Sequence, residues 1–342
     1  MGSEVQINTA GDRVIDCDAH LLEVHDLRVC YHTPAGPVRA VNGVSFFLRP
    51  GERLGLVGES GSGKTTTALS LMRLLHEPAV IEGGEVLLDG VDLLRLSEEE
   101  MRKARFADIA LIPQGAMNSL NPMMKIGEQL RDTVRAHRMS DSKLALDTHI
   151  HTMLESVDLS ADIMEAYPHE LSGGMKQRVC IAMSILLNPK VIVADEPTSA
   201  LDVVVQRQVM ETLGRVQKEL GAAVILVGHD MGLMAQFVNR IGVMYGGKLV
   251  EVGPVRDIFK DPLHPYTQLL IGSLPTLQSK AMFKGIPGLT PSLLAPPSGC
   301  MFHPRCPKAM AHCAAEVPPL VEIKPDRWVA CHLYSYQSGS HA

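Results

Sequence analysis

No run of 18 apolar residues occurs in this chain, so no segment is long enough to cross a bilayer as a helix. The longest apolar stretches are 179–187, broken by Ser184, and 222–227. The N-terminus lacks the apolar core of a secretory leader, which makes a cytosolic protein the expectation. There is no basic excess either. Lys and Arg number 32 against 38 Asp and Glu, a net charge of −6. A protein built to sit on nucleic acid needs a cationic surplus, so no nucleic-acid partner is expected. No repeat of about 20 to 50 residues recurs, which excludes a solenoid or propeller. Charged residues are few, 20%, but hydrophobic ones reach 46%, enough to bury a large core and to exclude whole-chain disorder.

Cysteine is scarce and uneven. Of seven, Cys300, Cys306, Cys313 and Cys331 fall in one short window, while Cys17, Cys30 and Cys180 are scattered and read as small thiols. Disulfides are disfavoured in a cytosolic chain. Four thiolates could hold zinc or an iron–sulfur cluster, or stay as thiols. No C-x₂₋₄-C pair is present, which counts against zinc. His303, His312 and His332 stand nearby as alternative ligands.

The rest of the chain alternates strand and helix, so the fold class is α/β with a largely parallel sheet covered by helices. Residues 1–20 form a polar tail. Arg53 to Val57 reads as a short buried strand, followed by a glycine-rich loop and a helix from Lys64 to about Leu75. Asp89-Gly90 marks a turn. Ser97 opens a helix whose first turn carries Glu98, Glu99 and Glu100, where negative charge suits the helix dipole. Residues 120–168 read as helices, and 172–187 as another. Val191–Ala194 and Val224–Val227 are apolar strands, with a helix from about Val203 to Leu220 between them. Proline density rises after Asp261, which suggests a loop-rich second domain.

Gly58-Glu59-Ser60-Gly61-Ser62-Gly63-Lys64-Thr65 fits G-x-x-x-x-G-K-[ST] in full, with Thr66 following. Glycines let the backbone curl until successive N–H groups point inward at phosphate oxygens, and the next helix adds its positive end. Lys64 would neutralise the β- and γ-phosphates, and Thr65 would offer a hydroxyl to Mg²⁺. Val191 to Glu196 is an apolar strand ending in two carboxylates, at the sheet edge where α/β ligands bind. Asp195 is placed to hold the Mg²⁺ shell and Glu196 to orient or deprotonate an attacking water. Ser172-Gly173-Gly174 opens a helix with exposed N–H groups, a second anion site by the same physics.

In this order the motifs resemble the ATP-binding subunits of ABC transporters. Residues 171–187 look like that family's signature helix, with Met175 where Gln is familiar, as is usual in the oligopeptide-type subfamily. The resemblance implies a role for each matching residue. Gln114 would touch Mg²⁺ and the transmembrane partner. Ser199 to Asp202 would form the D-loop, His229 would contact the γ-phosphate, and Tyr31 would stack on adenine. Ser172, Gly173 and Gly174 would serve the nucleotide of a second ATPase subunit. Gly115-Ala116 departs from the subfamily's acidic residue and Pro, in a region that faces the permease.

The tail, from His264-Pro265-Tyr266 to Cys331-His332-Leu333, resembles the C-terminal extension of oligopeptide and dipeptide transporter ATPases. That resemblance implies a [4Fe–4S] cluster on Cys300, Cys306, Cys313 and Cys331, with zinc as the alternative. The implied whole is a P-loop ABC ATPase. Residues 21–260 would form the nucleotide-binding domain, with a helical subdomain at about 115–188, and 261–342 a small Cys/Pro-rich extension. Its expected ligands are ATP and Mg²⁺. Its expected partners are two transmembrane permeases, a second ATPase subunit (a heterodimer favoured over a homodimer) and an extracytoplasmic solute-binding protein. Its expected place is peripheral, on the cytoplasmic face of the membrane, driving uptake of oligopeptides or dipeptides. The alternatives are an importer of oligosaccharides or another small solute, and a soluble ABC ATPase unconnected with transport.

Overall fold

The computed structural model describes residues 20–115, 119–137, 142–199, 201–274 and 285–334. Several sequence expectations lie outside the described residues: the tail 1–19 with Cys17, Ala116 of the Gly115-Ala116 departure, Ala200 of the expected D-loop, and the ends of the extension.

Two long strands come first, β1 (Leu22–Thr33) and β2 (Gly36–Leu48), paired as a hairpin. β3 (Arg53–Val57) runs into the glycine loop and α1 (Lys64–Leu71). The helix stops short of the expected Leu75 because Arg73 turns left-handed, φ 51°. β4 (Ala79–Leu88) and β5 (Val91–Asp92) meet at Asp89-Gly90, both at positive φ, as the Asp-Gly turn requires. α2 (Glu98–Ala104) carries a full capping box: Glu100 N donates to Ser97 Oγ, and Ser97 N donates back to Glu100 Oε2. β6 (Ile109–Ile112) precedes the helical stretch α3 (Ile126–Arg135), α4 (Lys143–Ser156) and α5 (Gly173–Ile185). β7 (Val191–Asp195), α6 (Val203–Leu220) and β8 (Ala223–Val227) follow, with α6 closed by left-handed Gly221. Then come α7 (Met231–Phe237), β9 (Arg240–Tyr245), β10 (Lys248–Pro254), α8 (Val255–Lys260), α9 (Pro265–Gly272), β11 (Val321–Lys324) and β12 (Arg327–Val329).

The strands form two sheets. One is antiparallel, β2-β1-β4-β5. The other has eight strands in the order β11-β12-β10-β9-β3-β8-β7-β6, parallel from β9 through β6 and antiparallel beyond β9. The parallel strands are apolar along their interiors because both their faces are covered, with charge only at ends such as Arg53, Asp195 and Arg240. Along β7, Val191 and Val193 join the apolar cluster shared with the antiparallel sheet and α1. Ile192 and Ala194 join the cluster built with α3 to α7. β8 divides the same way, Ala223, Ile225 and Val227 against Val224 and Leu226, as a period of two dictates.

The proline-rich stretch after Asp261 is built onto this framework. β12 pairs with β10, and Phe302 belongs to the larger apolar cluster. A buried ion pair fastens it: Arg327 Nη2 donates to Glu251 Oε1 at 2.6 Å, and Glu251 also accepts from the backbone N–H groups of Leu263 and His264. His264 is buried, and its Nδ1 caps α9 by accepting from Tyr266 N at 3.0 Å. Burial pushes the His264 pKa down to about 3. An unfolded histidine takes a proton near pH 6.5, so between there and about pH 3 the unfolded chain binds the extra proton. Each pH unit below 6.5 therefore costs the fold about 1.4 kcal/mol through this one group. His264→Asn, which keeps a capping acceptor, is expected to flatten the fall in melting temperature between pH 7 and pH 4.5. Parallel falls in both proteins would remove His264 from the account.

Candidate functional site

The glycine loop leaves the C-terminal end of β3 and closes at the first turn of α1. Gly58 (φ 151°) and Gly63 (φ 99°) are the positions that demand glycine. A Cβ on Gly58 would overlap the Met244 carbonyl oxygen, and one on Gly63 that of Ala40. Lys64 is folded back over the loop, its Nζ donating to Gly58 O at 2.9 Å and Glu59 O at 3.1 Å. Burial lowers the Lys64 pKa, while the carboxylates of Glu196 and Asp195 oppose the shift. Ser62 Oγ is buried and has no hydrogen-bond partner among the described residues. A loop with a turned-in ammonium and an orphaned hydroxyl has donors to spare for an anion.

Asp195 ends β7 and Glu196 follows it. Thr65 Oγ1 donates to Asp195 Oδ1 at 3.1 Å, bringing together the hydroxyl and carboxylate expected to flank Mg²⁺. Burial raises the Asp195 pKa, and the neighbouring Glu196 charge adds to it. A buried carboxylate beside a hydroxyl is a donor set that a hard divalent cation suits, so these residues fit Mg²⁺. Glu196 itself is left-handed, φ 44°, a strained conformation for a residue with a side chain. Its carboxylate takes two partners: Gln114 Nε2 donates to Oε2 at 2.8 Å, and His229 Nδ1 lies 3.2 Å from Oε1. Three residues from the ends of β6, β7 and β8 thus converge, although 82 and 33 residues separate Glu196 from the other two.

The remaining sequence candidates sit around this centre or apart from it. Tyr31, on β1, touches Thr66 Oγ1 through its hydroxyl at 3.3 Å, at the first turn of α1. Ser172 caps α5 by accepting from Met175 N, and Asp202 caps α6 by accepting from Val204 N and Val205 N. Ser172, Gly173, Gly174 and Asp202 line one hollow between α5 and α6, and no residue of the phosphate loop lines it.

Sequence reasoning missed three residues at the loop. Tyr266, Thr290 and Arg305 all hydrogen-bond to Glu59. A position marked "any residue" in the loop motif gives no signal for partners 207 to 246 residues away.

Known families and relatives match most of the chain. A family described as ABC transporter matches residues 41–199, and one described as oligopeptide/dipeptide transporter, C-terminal region, matches 250–313. The oligopeptide transport ATP-binding protein OppD of Salmonella typhimurium is 46% identical over 91% of this chain and 93% of its own. The dipeptide transport ATP-binding protein DppD of Caldanaerobacter subterraneus is 44% identical over 92% of this chain and 97% of its own. Among solved structures, the dimeric ABC transporter cassette MJ0796 superposes with a TM-score of 0.62 at 27% identity, covering 69% of this chain and 99% of that one. Its post-hydrolysis state, bound to ADP and Pi, gives a TM-score of 0.61, also at 27% identity, with the same coverage. The mixed α/β architecture is that of these cassettes.

The iron–sulfur expectation is corrected. The matched relatives and the C-terminal family are described by nucleotide binding and peptide transport, with no cluster. Burial raises the thiol pKa of Cys300, Cys306 and Cys331, which disfavours the thiolates a cluster needs. The loop holds itself by ordinary hydrogen bonds, Cys300 N to Cys313 O at 2.8 Å and Met310 N to Cys313 Sγ at 3.4 Å. Among the described residues, the one group of three candidate metal donors within 4.8 Å of one another is Cys30, His32 and Glu82, so tetrahedral zinc on the four late cysteines finds no support either. The cysteine count and the likeness of the tail suggested a cluster that the surroundings of these sulfurs do not favour.

Proposed function

The chain belongs to the ATP-binding subunits of ABC transporters, oligopeptide/dipeptide type, and from that premise we propose that it couples ATP binding and hydrolysis to the import of oligopeptides or dipeptides. The observation that carries the hydrolytic part is the convergence of Gln114, Glu196 and His229 beside the phosphate loop. In this reading residues 58–66 cradle the phosphates, with Lys64 turning from its own loop carbonyls onto them. Tyr31 lies at the adenine end. Thr65, Asp195 and Gln114 would hold Mg²⁺, which when bound offsets phosphate charge. Glu196 accepts the proton of the water that attacks the γ-phosphorus, and ADP departs. His229 donates through Nδ1 to the Glu196 carboxylate, fixing where that carboxylate points.

The likeness to a dimeric cassette, together with the separate hollow between α5 and α6, supports a two-subunit arrangement. Ser172, Gly173, Gly174 and Asp202 then serve the nucleotide held by a second ATPase subunit, a different chain by preference. Two membrane permeases would receive the motion, and an extracytoplasmic solute-binding protein would deliver the peptide. Among the described residues no helix is long and apolar enough to cross a membrane, which suits a subunit that sits peripherally against the permeases on the cytoplasmic face. Residues 21–260 act as the nucleotide-binding domain, with a helical subdomain at about 115–188, and 261–342 as the subfamily's extension.

Lys64→Ala tests the site. It removes a charge-assisted donor worth about 1.5 to 3 kcal/mol, so ATP affinity is expected to fall by about tenfold to a hundredfold. A fluorescent-nucleotide titration reads this directly, and unchanged affinity would refute the phosphate-loop assignment.

A further inference from the structure

Glu59, the second residue of the phosphate loop, is gripped on three sides. Its backbone N donates to the Tyr266 hydroxyl at 2.9 Å. Its carbonyl accepts from Lys64 Nζ. Its carboxylate takes Arg305 in a fork, Nη1 to Oε2 at 2.7 Å and Nη2 to Oε1 at 3.0 Å, with Thr290 Oγ1 adding 2.9 Å to Oε2. Arg305 is itself fully committed. Nε donates to Pro287 O, Nη2 also to Ile286 O, and Nη1 also to the Tyr245 hydroxyl. All five guanidinium N–H donors are thereby used, in a side chain only 5% exposed. The fork pulls the Glu59 carboxyl below its usual pKa. Behind it, Tyr245, Tyr266 and Phe302 pack as one aromatic wedge, with centroids 4.6 to 5.4 Å apart.

A planar, forked, desolvated contact of this kind fixes direction as well as charge. The loop beside it must present its N–H groups and Lys64 in one geometry, and every ångström of misplacement weakens phosphate binding. We propose that Arg305 is a positioning residue for ATP: the segment 286–305 braces the phosphate loop through Glu59 and sets its affinity for the nucleotide's phosphates. This rests on the reading of residues 58–65 as the ATP site.

The test is calorimetric titration of the full chain with MgATP, comparing wild type with Arg305→Gln, Arg305→Lys, Glu59→Gln and the double Glu59→Gln/Arg305→Gln. Loss of the brace raises Kd by about tenfold at full stoichiometry, whereas simple destabilisation lowers the stoichiometry at constant Kd. Arg305→Lys keeps the charge without the fork and falls between. The double variant binds no worse than the worse single one, because both remove the same contact. If Arg305→Gln does not fold, Thr290→Val removes one bond from the fork's acceptor and is expected to raise Kd two- to threefold. A wild-type Kd in whichever folded variant is measured overturns the brace. Lys64→Ala in the same titration separates the two ideas. If it loses ATP while the brace variants do not, only the brace is wrong; if it too binds normally, the site reading falls and takes the brace with it.

Discussion

Glu196→Gln is expected to bind ATP about as tightly as the wild type and to hydrolyse it about 10²- to 10⁴-fold more slowly, the range that a positioned general base supplies. The argument is local. Glutamine is isosteric, so the left-handed turn at residue 196 and the acceptor for Gln114 Nε2 are kept. What goes is the group able to take a proton, and the charge that the His229 N–H points at. Binding is spared because Lys64 and the loop N–H groups, not Glu196, face the phosphates in this reading. With hydrolysis blocked, the ATP-closed pair of subunits should accumulate. Single-turnover hydrolysis in the assembled transporter, with size analysis in ATP, checks both halves. Wild-type turnover would place the base elsewhere.

Arg327→Met should be the most damaging change away from the nucleotide. It leaves Glu251, fully buried, with its main countercharge gone. Breaking a buried pair from one side costs about 3 to 5 kcal/mol, because the survivor stays desolvated and unpaired. Removing both charges, as Glu251→Gln/Arg327→Met, should recover part of that loss, since the amide's one oxygen can still accept from one of the two N–H groups, Leu263 or His264, that now meet separate carboxylate oxygens. Denaturant unfolding of the two singles and the double completes the cycle. Singles that unfold like the wild type would mean the pair is solvated in solution.

How far the residues announced this depends on how far apart the partners lie. The phosphate loop, the Ser97 helix start and the helix from Val203 to Leu220 are readable because each is a contiguous run whose signals lie close together in sequence. Only the end of β2, Val44–Leu48, carries a strand-like run in sequence, yet pairing with β1 carries the strand back to Gly36. Its outer half alternates exposed and half-buried residues, too weak a pattern without the partner strand. The end of α1 was missed because a non-glycine residue, Arg73, takes the left-handed turn there. The Glu59–Arg305 fork was invisible for a plainer reason: neither residue is unusual, and only the folded chain brings them together. The four late cysteines erred the other way, since the cluster expected on them rested on the likeness of the tail and not on any ligand spacing of their own.

The short ribbon at the far side of the main sheet has a consequence for truncation. Without residues beyond about 320, β10 would become the last strand of the sheet, with the N–H and C=O groups that now meet β12 left open beside the apolar side chains of Leu249, Val250 and Val252. Such a bare rim templates the addition of foreign strands and seeds aggregates. β11 closes the rim differently. It is four residues long and carries Glu322 and Lys324 outward, charges that resist further stacking. Whatever else β11 and β12 contribute, they work as a selvedge that keeps the antiparallel rim of the large sheet from fraying into its neighbours.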